Sequence, residues 1–181
     1  TLLKAAARLS REEAWMIELV GDGPDRAALE SLSAELGLRD RVIFRGWCSE
    51  PAGVLRGALI YVHTSVVEGM PNALLEAMAV GVPAVTSFWG QDAEEICSKG
   101  AALGYEPGDD LALADCLKVL LDDKGVRERL RRNAHAYLER HDAEKVARRW
   151  EEAILSVMQK CRQADAKAWQ ALRAGPNACG H

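Results

Sequence analysis

Two glutamates on either side of a proline form the part of the sequence whose residue types and spacing best suit ligand chemistry. Glu68 follows an apolar run, and Glu76 lies eight residues later, in a stretch with helical character that begins at Pro71. Proline is favoured in the first turn of a helix. The start of a helix has free backbone N–H groups and a partial positive charge, so it binds anions. The chain order is therefore acid, anion cradle, acid.

A nucleotide diphosphate sugar has a matching order of groups, with sugar hydroxyls and ribose hydroxyls on either side of the diphosphate. Carboxylates accept hydrogen bonds from hydroxyls and repel phosphate, whereas backbone N–H groups bind phosphate. Pro71 has no N–H but fixes the first turn, and the missing Cβ of Gly69 lets a ligand approach the backbone closely. The backbone donors that this hypothesis assigns to the ligand are those of Gly69, Met70, Asn72, Ala73 and Leu74. The alternative is an ordinary helix, with Glu68 favouring its dipole and Glu76 either in solvent or in a salt bridge.

The elements that would position these residues alternate between short apolar runs and amphipathic stretches. The strand candidates are residues 15–20, 41–45, 59–63 and 82–86. The helix candidates are residues 1–9, 25–36, 51–56, 71–80, 111–121 and 126–138, followed by one that begins near residue 142. Such alternation predicts an α/β fold, with a doubly wound, Rossmann-like parallel sheet and extra C-terminal helices. Ligands bind at the carboxyl ends of such strands, which points to the loops that begin at Gly21, Gly46, Thr64 and Ser87.

The domain boundaries follow from the same pattern. In a doubly wound domain a strand precedes the first helix, but the chain begins with a helix candidate at residues 1–9. We therefore expect residues 1–160 to form a domain that lacks its first strand. Residues 161–181 are small and polar and contain Gly175-Pro176, so we expect a poorly ordered tail.

Composition excludes several classes of function. The net charge of −4 argues against nucleic-acid binding. The sequence contains no run of 18 apolar residues, so we expect no transmembrane helix. Five cysteines without a Cys-x-x-Cys pair favour reduced thiols in the cytoplasm. Four histidines without ligand spacing, and the lack of an Asp-x-Asp pair, lead us to expect no metal and no cofactor.

Several motifs in a fixed order resemble glycosyltransferase family 4, whose members are retaining enzymes with the two-domain GT-B architecture. The acid-x7-acid signature matches Glu68 to Glu76, with Ser65 before it and residues 77–83 (Ala-Met-Ala-Val-Gly-Val-Pro) after it. The other matching segments are Val20–Pro24, Val42–Gly46 and Leu111–Val157. The resemblance covers residues 2–158 and identifies the chain as one half of a GT-B fold, the C-terminal donor-binding domain.

The resemblance implies a role for each matching position. Glu68 would be catalytic, binding donor-sugar hydroxyls and stabilising charge at the anomeric carbon, and Glu76 would bind the ribose. The backbone from Gly69 to Leu74 would hold sugar and phosphate. Two further groups would contact the nucleotide, Gly21 and Gly23 near the diphosphate and Trp47 and Cys48 near the base. A plain strand-to-helix turn at the glycines and a packed aromatic at Trp47 remain alternatives.

The implied reaction is transfer of a hexose from a UDP or GDP sugar to a hydroxyl, with retention. The acceptor would bind a missing N-terminal domain, and the complete protein would be cytoplasmic, with peripheral membrane contact as a further option. A basic pair of the family would lie upstream of Thr1, and residues 88–96 depart from the family's two-glycine loop, so we expect residues 1–181 alone to be inactive. The alternatives are a non-catalytic nucleotide-binding or interaction module and a sugar-nucleotide epimerase of the same architecture.

Two lesser features have two interpretations each. Four arginines between residues 127 and 132 form either a solvated helix face, which nearby acids favour, or a patch for anionic lipid. His63 is either a core histidine with satisfied hydrogen bonds, which is the favoured interpretation, or a residue near Glu68 that contacts the nucleotide-sugar donor.

Overall fold

A computed structural model describes residues 1–10, 12, 14–69, 71–141, 144–145, 147–148 and 150–160. It forms two compact units, Thr1–Glu139 and Arg140–His181. The expectations for Met70 and for the tail at 161–181 lie outside the described residues. In the second unit, residues 144–145, 147–148 and 150–160 are helical, as expected for the last helix.

The first unit alternates strands and helices along the chain. The strands are β1 (Ile17–Val20), β2 (Val42–Gly46), β3 (Tyr61–His63), β4 (Ala84–Ser87) and β5 (Leu103–Tyr105). The helices are α1 (Leu2–Ala6), α2 (Arg26–Glu35), α3 (Pro51–Gly57), α4 (Asn72–Val80), α5 (Gln91–Ser98), α6 (Asp110–Asp122) and α7 (Lys124–Leu138). A 3₁₀ turn follows at Glu139–His141. Sequence analysis found neither α5 nor β5, and the expected first helix ends at Ala6 rather than at residue 9.

Helix ends follow local chemistry. The Asp109 carboxylate accepts hydrogen bonds from the N–H groups of Leu111 and Ala112 at 3.0 and 2.9 Å, so it caps α6. Helix α4 ends at Gly81, whose φ of 84° is left-handed and favours glycine. Its start differs from expectation, because Pro71 is the N-cap residue and the helix begins at Asn72.

The strands form two parallel sheets rather than the single sheet expected. One sheet pairs β1 with β2, and the other has the order β3-β4-β5. In the second sheet the register places His63 beside Thr86, and Ser87 beside Tyr105. The carboxyl ends of β3 and β4 therefore bring polar side chains together at one edge.

Helices cover the three-stranded sheet on both faces, as in a doubly wound fold. One cluster joins Val85 of β4 to Leu113 of α6 and Ala5 of α1, and another joins Ala84 to Leu74 of α4 and Ile96 of α5. Helix α1 also supplies Leu3 and Ala6 to the cluster beneath β1 and β2. It therefore packs against both sheets. Among the described residues no helix is long and apolar enough to cross a membrane.

Candidate functional site

The loop after β3 holds Glu68 in a partly buried position by contacts with its own residues and with the strand. The Ser65 hydroxyl donates a hydrogen bond to Glu68 Oε1 at 2.5 Å. His63 Nε2 lies 3.4 Å from the same carboxylate oxygen and 3.3 Å from Ser65 Oγ. The Glu68 side chain is 30% exposed, so a ligand in solvent can reach the carboxylate although Ser65 and His63 hold its Oε1 oxygen.

Polar side chains of β4 extend this contact beneath the loop. His63 Nδ1 lies 3.3 Å from Thr86 Oγ1, which also accepts a hydrogen bond from Trp89 Nε1 at 3.2 Å. The Ser87 hydroxyl donates to the Ser65 carbonyl at 2.5 Å. Glu68 is therefore connected to two strands rather than to its own loop alone.

Burial and negative charge set the protonation of the groups near Glu68. Burial lowers the pKa of the His63 imidazole, although the Glu68 carboxylate favours its charged form. Burial, together with the charges of Glu68 and Glu76, raises the pKa of Tyr61 to about 12. Both carboxylates therefore act on one phenol of β3, which stays neutral.

The start of α4 lies between the two acids. Within the described residues no side chain caps this end. The Leu75 N–H bonds the Pro71 carbonyl at 3.0 Å, so the N–H groups of Asn72, Ala73 and Leu74 precede the first bond within the helix. Asn72 and Ala73 are exposed, whereas the Leu74 side chain is in the core.

Gly69 and Glu76 flank this helix start as the sequence predicts. Space beside Gly69 is open, because a Cβ there would meet no atom within 4 Å. Glu76 is exposed, and four residues at about 1.5 Å rise place it about 6 Å along the axis from Asn72. The arrangement offers a carboxylate, free N–H groups and a second carboxylate in the expected order.

The second group of candidates lies at the ends of β1 and β2. The Gly21 N–H bonds the Gly46 carbonyl at 2.8 Å, and Gly21 has a φ of 130°. Gly23 is exposed, with open space beside it. Trp47 is 78% exposed and Cys48 is partly buried. This exposure contradicts the alternative of a packed aromatic at the loop edge, whereas stacking of Trp47 on the base stays a prediction.

Among the described contacts, the hydrogen bonds and the ion pair of Glu68 lead to Ser65 and His63, and none leads to the turn formed by Gly21 and Gly46. Sequence reasoning named Ser87 as the start of a loop at the carboxyl end of a strand, but it missed Thr86 and Trp89. The signal that could have found them was position, because both lie at or just after the carboxyl end of β4. His63 is buried, and each ring nitrogen lies 3.3 Å from a hydroxyl oxygen, as the core interpretation expects, yet Nε2 also lies 3.4 Å from Glu68 Oε1.

Two of the four arginines between residues 127 and 132, here called the basic segment, donate hydrogen bonds to backbone carbonyls. Arg127 Nη1 donates to the carbonyls of Leu120 and Leu121 at the end of α6, and Arg131 Nε donates to the Gly81 carbonyl at 2.8 Å. In the described part of the chain no group of three or more His, Cys, Asp or Glu side chains is placed to hold a metal ion.

Fold and site together define an α/β domain with a helix start between two acids at the carboxyl edge of a parallel sheet. Residues 1–137 match the family described as "Glycosyl transferases group 1", and the chain belongs to this family.

Two of the similar curated proteins are glycosyltransferases of lipopolysaccharide. The lipopolysaccharide core biosynthesis glycosyltransferase LpsD of Rhizobium meliloti is 37% identical over 129 residues, which are 71% of this chain and 37% of that protein. A lipopolysaccharide 1,6-galactosyltransferase of Salmonella typhimurium is 38% identical over 90 residues, 48% of this chain and 24% of that protein. The chain thus spans well under half the length of these relatives.

Solved structures give the same fold. The outer core galactosyltransferase WaaB, in its apo form, superposes with a TM-score of 0.72 at 27% identity, covering 86% of this chain and 44% of that one. Anabaena HepE in complex with UDP gives 0.77 at 24% identity, with the same coverage. The domain therefore has the Rossmann-like fold of one half of a GT-B glycosyltransferase.

Proposed function

We propose that this chain is the donor-binding half of a retaining glycosyltransferase of family 4, which transfers a hexose from a nucleotide diphosphate sugar to a hydroxyl. The observation that carries the proposal is the start of α4 between Glu68 and Glu76, which no described side chain caps. The diphosphate would bind the N–H groups of Asn72, Ala73 and Leu74, with Gly69 leaving room for the donor. Backbone donors aimed at the leaving diphosphate stabilise its charge as the glycosidic bond breaks.

Each carboxylate has a distinct role in this scheme. Glu68 accepts hydrogen bonds from sugar hydroxyls and stabilises positive charge that develops at the anomeric carbon. Glu76 accepts hydrogen bonds from the ribose hydroxyls. The exposed Trp47 stacks on the base, with Cys48 beside it, and the Gly21–Gly23 turn lies near the diphosphate. No metal or cofactor takes part.

The relatives support this choice of substrate class. One of them is a lipopolysaccharide galactosyltransferase, and a structure with this fold was solved with UDP-glucose bound. We infer a hydroxyl of a growing polysaccharide or lipid-linked sugar as the acceptor, bound by a separate domain. The five cysteines, which include no Cys-x-x-Cys pair, support a cytoplasmic location, with membrane contact through the complete protein.

The sheet order supports a further strand in the complete protein. A doubly wound sheet has the strand order 3-2-1-4-5-6. The strands of the described residues, β2-β1 in one sheet and β3-β4-β5 in the other, match that pattern except for the central strand, numbered 1 in it. We propose that one parallel strand lies between β1 and β3, and that a basic pair follows it and neutralises the diphosphate.

The decisive experiment is Glu68→Gln in the complete protein, with transfer measured from UDP-glucose, UDP-galactose and GDP-mannose. We expect a loss of about a hundredfold or more in kcat, since the amide keeps the shape but loses the charge. Glu94→Gln, which changes an exposed acid of α5, is the matched control. Unchanged transfer by Glu68→Gln would support a non-catalytic module, whereas donor isomerisation without acceptor would support an epimerase.

Donor binding is tested separately from chemistry. Titration with UDP, GDP and ADP should shift the NMR signals of residues 47, 48 and 69–76. No response to any of the three nucleotides would contradict the site. Residues 1–181 alone should not catalyse transfer, and clear turnover by that fragment would contradict the division into donor and acceptor halves.

A further inference from the structure

The hydrogen atoms available around His63 are too few to satisfy every contact at once. Thr86 Oγ1 has a single hydrogen, which it donates to the Ser87 carbonyl at 3.2 Å. Its 3.3 Å contact with His63 Nδ1 is therefore a hydrogen bond only when Nδ1 carries the hydrogen. The donation from Trp89 Nε1 to the same oxygen fits this assignment, because Thr86 then acts as acceptor toward both rings.

The other ring nitrogen competes with Glu68 for one hydrogen. In the neutral ring, Nε2 is a bare acceptor, since Nδ1 carries the only hydrogen. The Ser65 hydroxyl is 2.5 Å from Glu68 Oε1 and 3.3 Å from His63 Nε2, and the shorter distance assigns its hydrogen to the carboxylate. His63 Nε2 then faces Glu68 Oε1 at 3.4 Å with no hydrogen between the two atoms.

Two changes resolve this conflict, and they have opposite effects on Glu68. A proton on His63 Nε2 supplies the missing hydrogen and forms an ion pair with the carboxylate. Alternatively, a sugar hydroxyl donates to Glu68, and the Ser65 hydroxyl turns to His63 Nε2. The first change holds Glu68 against the strand, and the second frees it for a sugar.

We propose that His63 and Ser65 are positioning residues for Glu68, and that protonation of His63 opposes binding of the donor sugar. The inference rests on the proposed role of Glu68 as the sugar contact. Protonated His63 competes with the sugar hydroxyls for the carboxylate and also neutralises the charge needed at the anomeric carbon. Neutral His63 acts as the alternative acceptor for Ser65 and so permits sugar binding.

The surroundings of His63 support a proton-dependent role. The titratable groups that face it are Glu68 from the loop, Tyr61 on its own strand and Tyr105 from β5, whose hydroxyl donates to the His63 carbonyl at 3.2 Å. Burial raises the pKa of Tyr105 to about 12, as it does that of Tyr61, so both stay neutral. Glu68 is the one charged partner among these three. Burial lowers the pKa of His63, so the ring is neutral near pH 7 and gains its proton only in more acidic solution.

The test compares binding of UDP-galactose with binding of UDP by the complete protein at several pH values. Since only the sugar meets Glu68, the Kd for UDP-galactose should rise roughly three- to tenfold between about pH 7.5 and about pH 5.5, relative to that for UDP. His63→Gln has no titrating ring and should abolish this difference. His135→Gln, which removes an exposed histidine of α7, should retain it.

Thermodynamic linkage gives a second measurement that needs no variant. If a proton on His63 weakens sugar binding, bound UDP-galactose must lower the pKa of His63 relative to bound UDP. NMR titration of the His63 ring measures this directly, even where His63→Gln fails to fold.

The outcomes separate this inference from the proposed function. The inference alone would be overturned if UDP-galactose and UDP showed equal pH dependence, or if a difference between them persisted in His63→Gln. It would also be overturned if the pKa of His63 were the same with UDP-galactose bound as with UDP bound. Failure of both ligands to bind would overturn the donor site, and the inference with it.

Discussion

The Ser87 hydroxyl donates a hydrogen bond to the backbone carbonyl of Ser65 at 2.5 Å, which ties the loop carrying Glu68 to the neighbouring strand. Ser87 is fully buried at the end of β4. The contact therefore fixes the loop at Ser65, three residues before Glu68. A catalytic side chain on a loop needs such support, because small displacements of a reacting group reduce rates strongly.

Ser87→Ala tests this contact. It leaves the Ser65 carbonyl without its partner, so we expect a loss of about 1–3 kcal/mol in the free energy of unfolding and weaker binding of UDP-galactose. Urea unfolding and calorimetric titration measure the two effects. Ser98→Ala is the control, because Ser98 Oγ also donates to a backbone carbonyl, that of Glu95, but at an exposed position. An effect no larger than that of Ser98→Ala would contradict a supporting role.

Glu76→Gln tests recognition of the ribose. Loss of the charge should weaken UDP binding about tenfold, since hydrogen bonds to a charged acceptor are the stronger kind. Wild-type protein should bind 2′-deoxy-UDP more weakly than UDP, and the variant should discriminate less between the two. Retained discrimination would mean that another group reads the ribose. Glu94→Gln again serves as the control.

Cysteine reactivity tests the position of the base. Burial raises the pKa of Cys97 to about 12 and also raises that of Cys116, so neither forms much thiolate near neutral pH. With Cys161→Ser and Cys179→Ser introduced, three cysteines remain, and we expect Cys48 to react first with a maleimide. Peptide mass spectrometry follows the reaction. UDP should slow that reaction if the base binds beside Trp47. Equal rates with and without saturating UDP would place the base elsewhere.

Arg127→Ala tests the structural role of the basic segment. Its guanidinium binds the final carbonyls of α6, which lack partners inside the helix. We expect a loss of roughly 1–2 kcal/mol in the free energy of unfolding, measured with urea. Arg129→Ala changes an exposed arginine of the same helix and should cost less than about 0.5 kcal/mol. Equal losses would argue against this capping role.

Sequence reasoning succeeded where the signal was local. Helices α4 and α6 lie within one residue of the predicted ranges 71–80 and 111–121, because the residues that begin and end a helix lie within a few positions of it. It missed β5, because a three-residue strand that contains Gly104 has too few apolar residues to show a period. It also expected a single sheet, whereas pairing between strands depends on contacts far apart in the chain.

The sequence by itself determined the order of acid, helix start and acid, because helix geometry fixes the rise per residue once Pro71 and the helix are in place. Only the tertiary structure decided how Glu68 is held. Its contacts with Ser65 and His63 continue to Thr86 because the register of β3 and β4 sets His63 beside Thr86. Strand register depends on packing of both sheet faces, which no local pattern around Glu68 specifies.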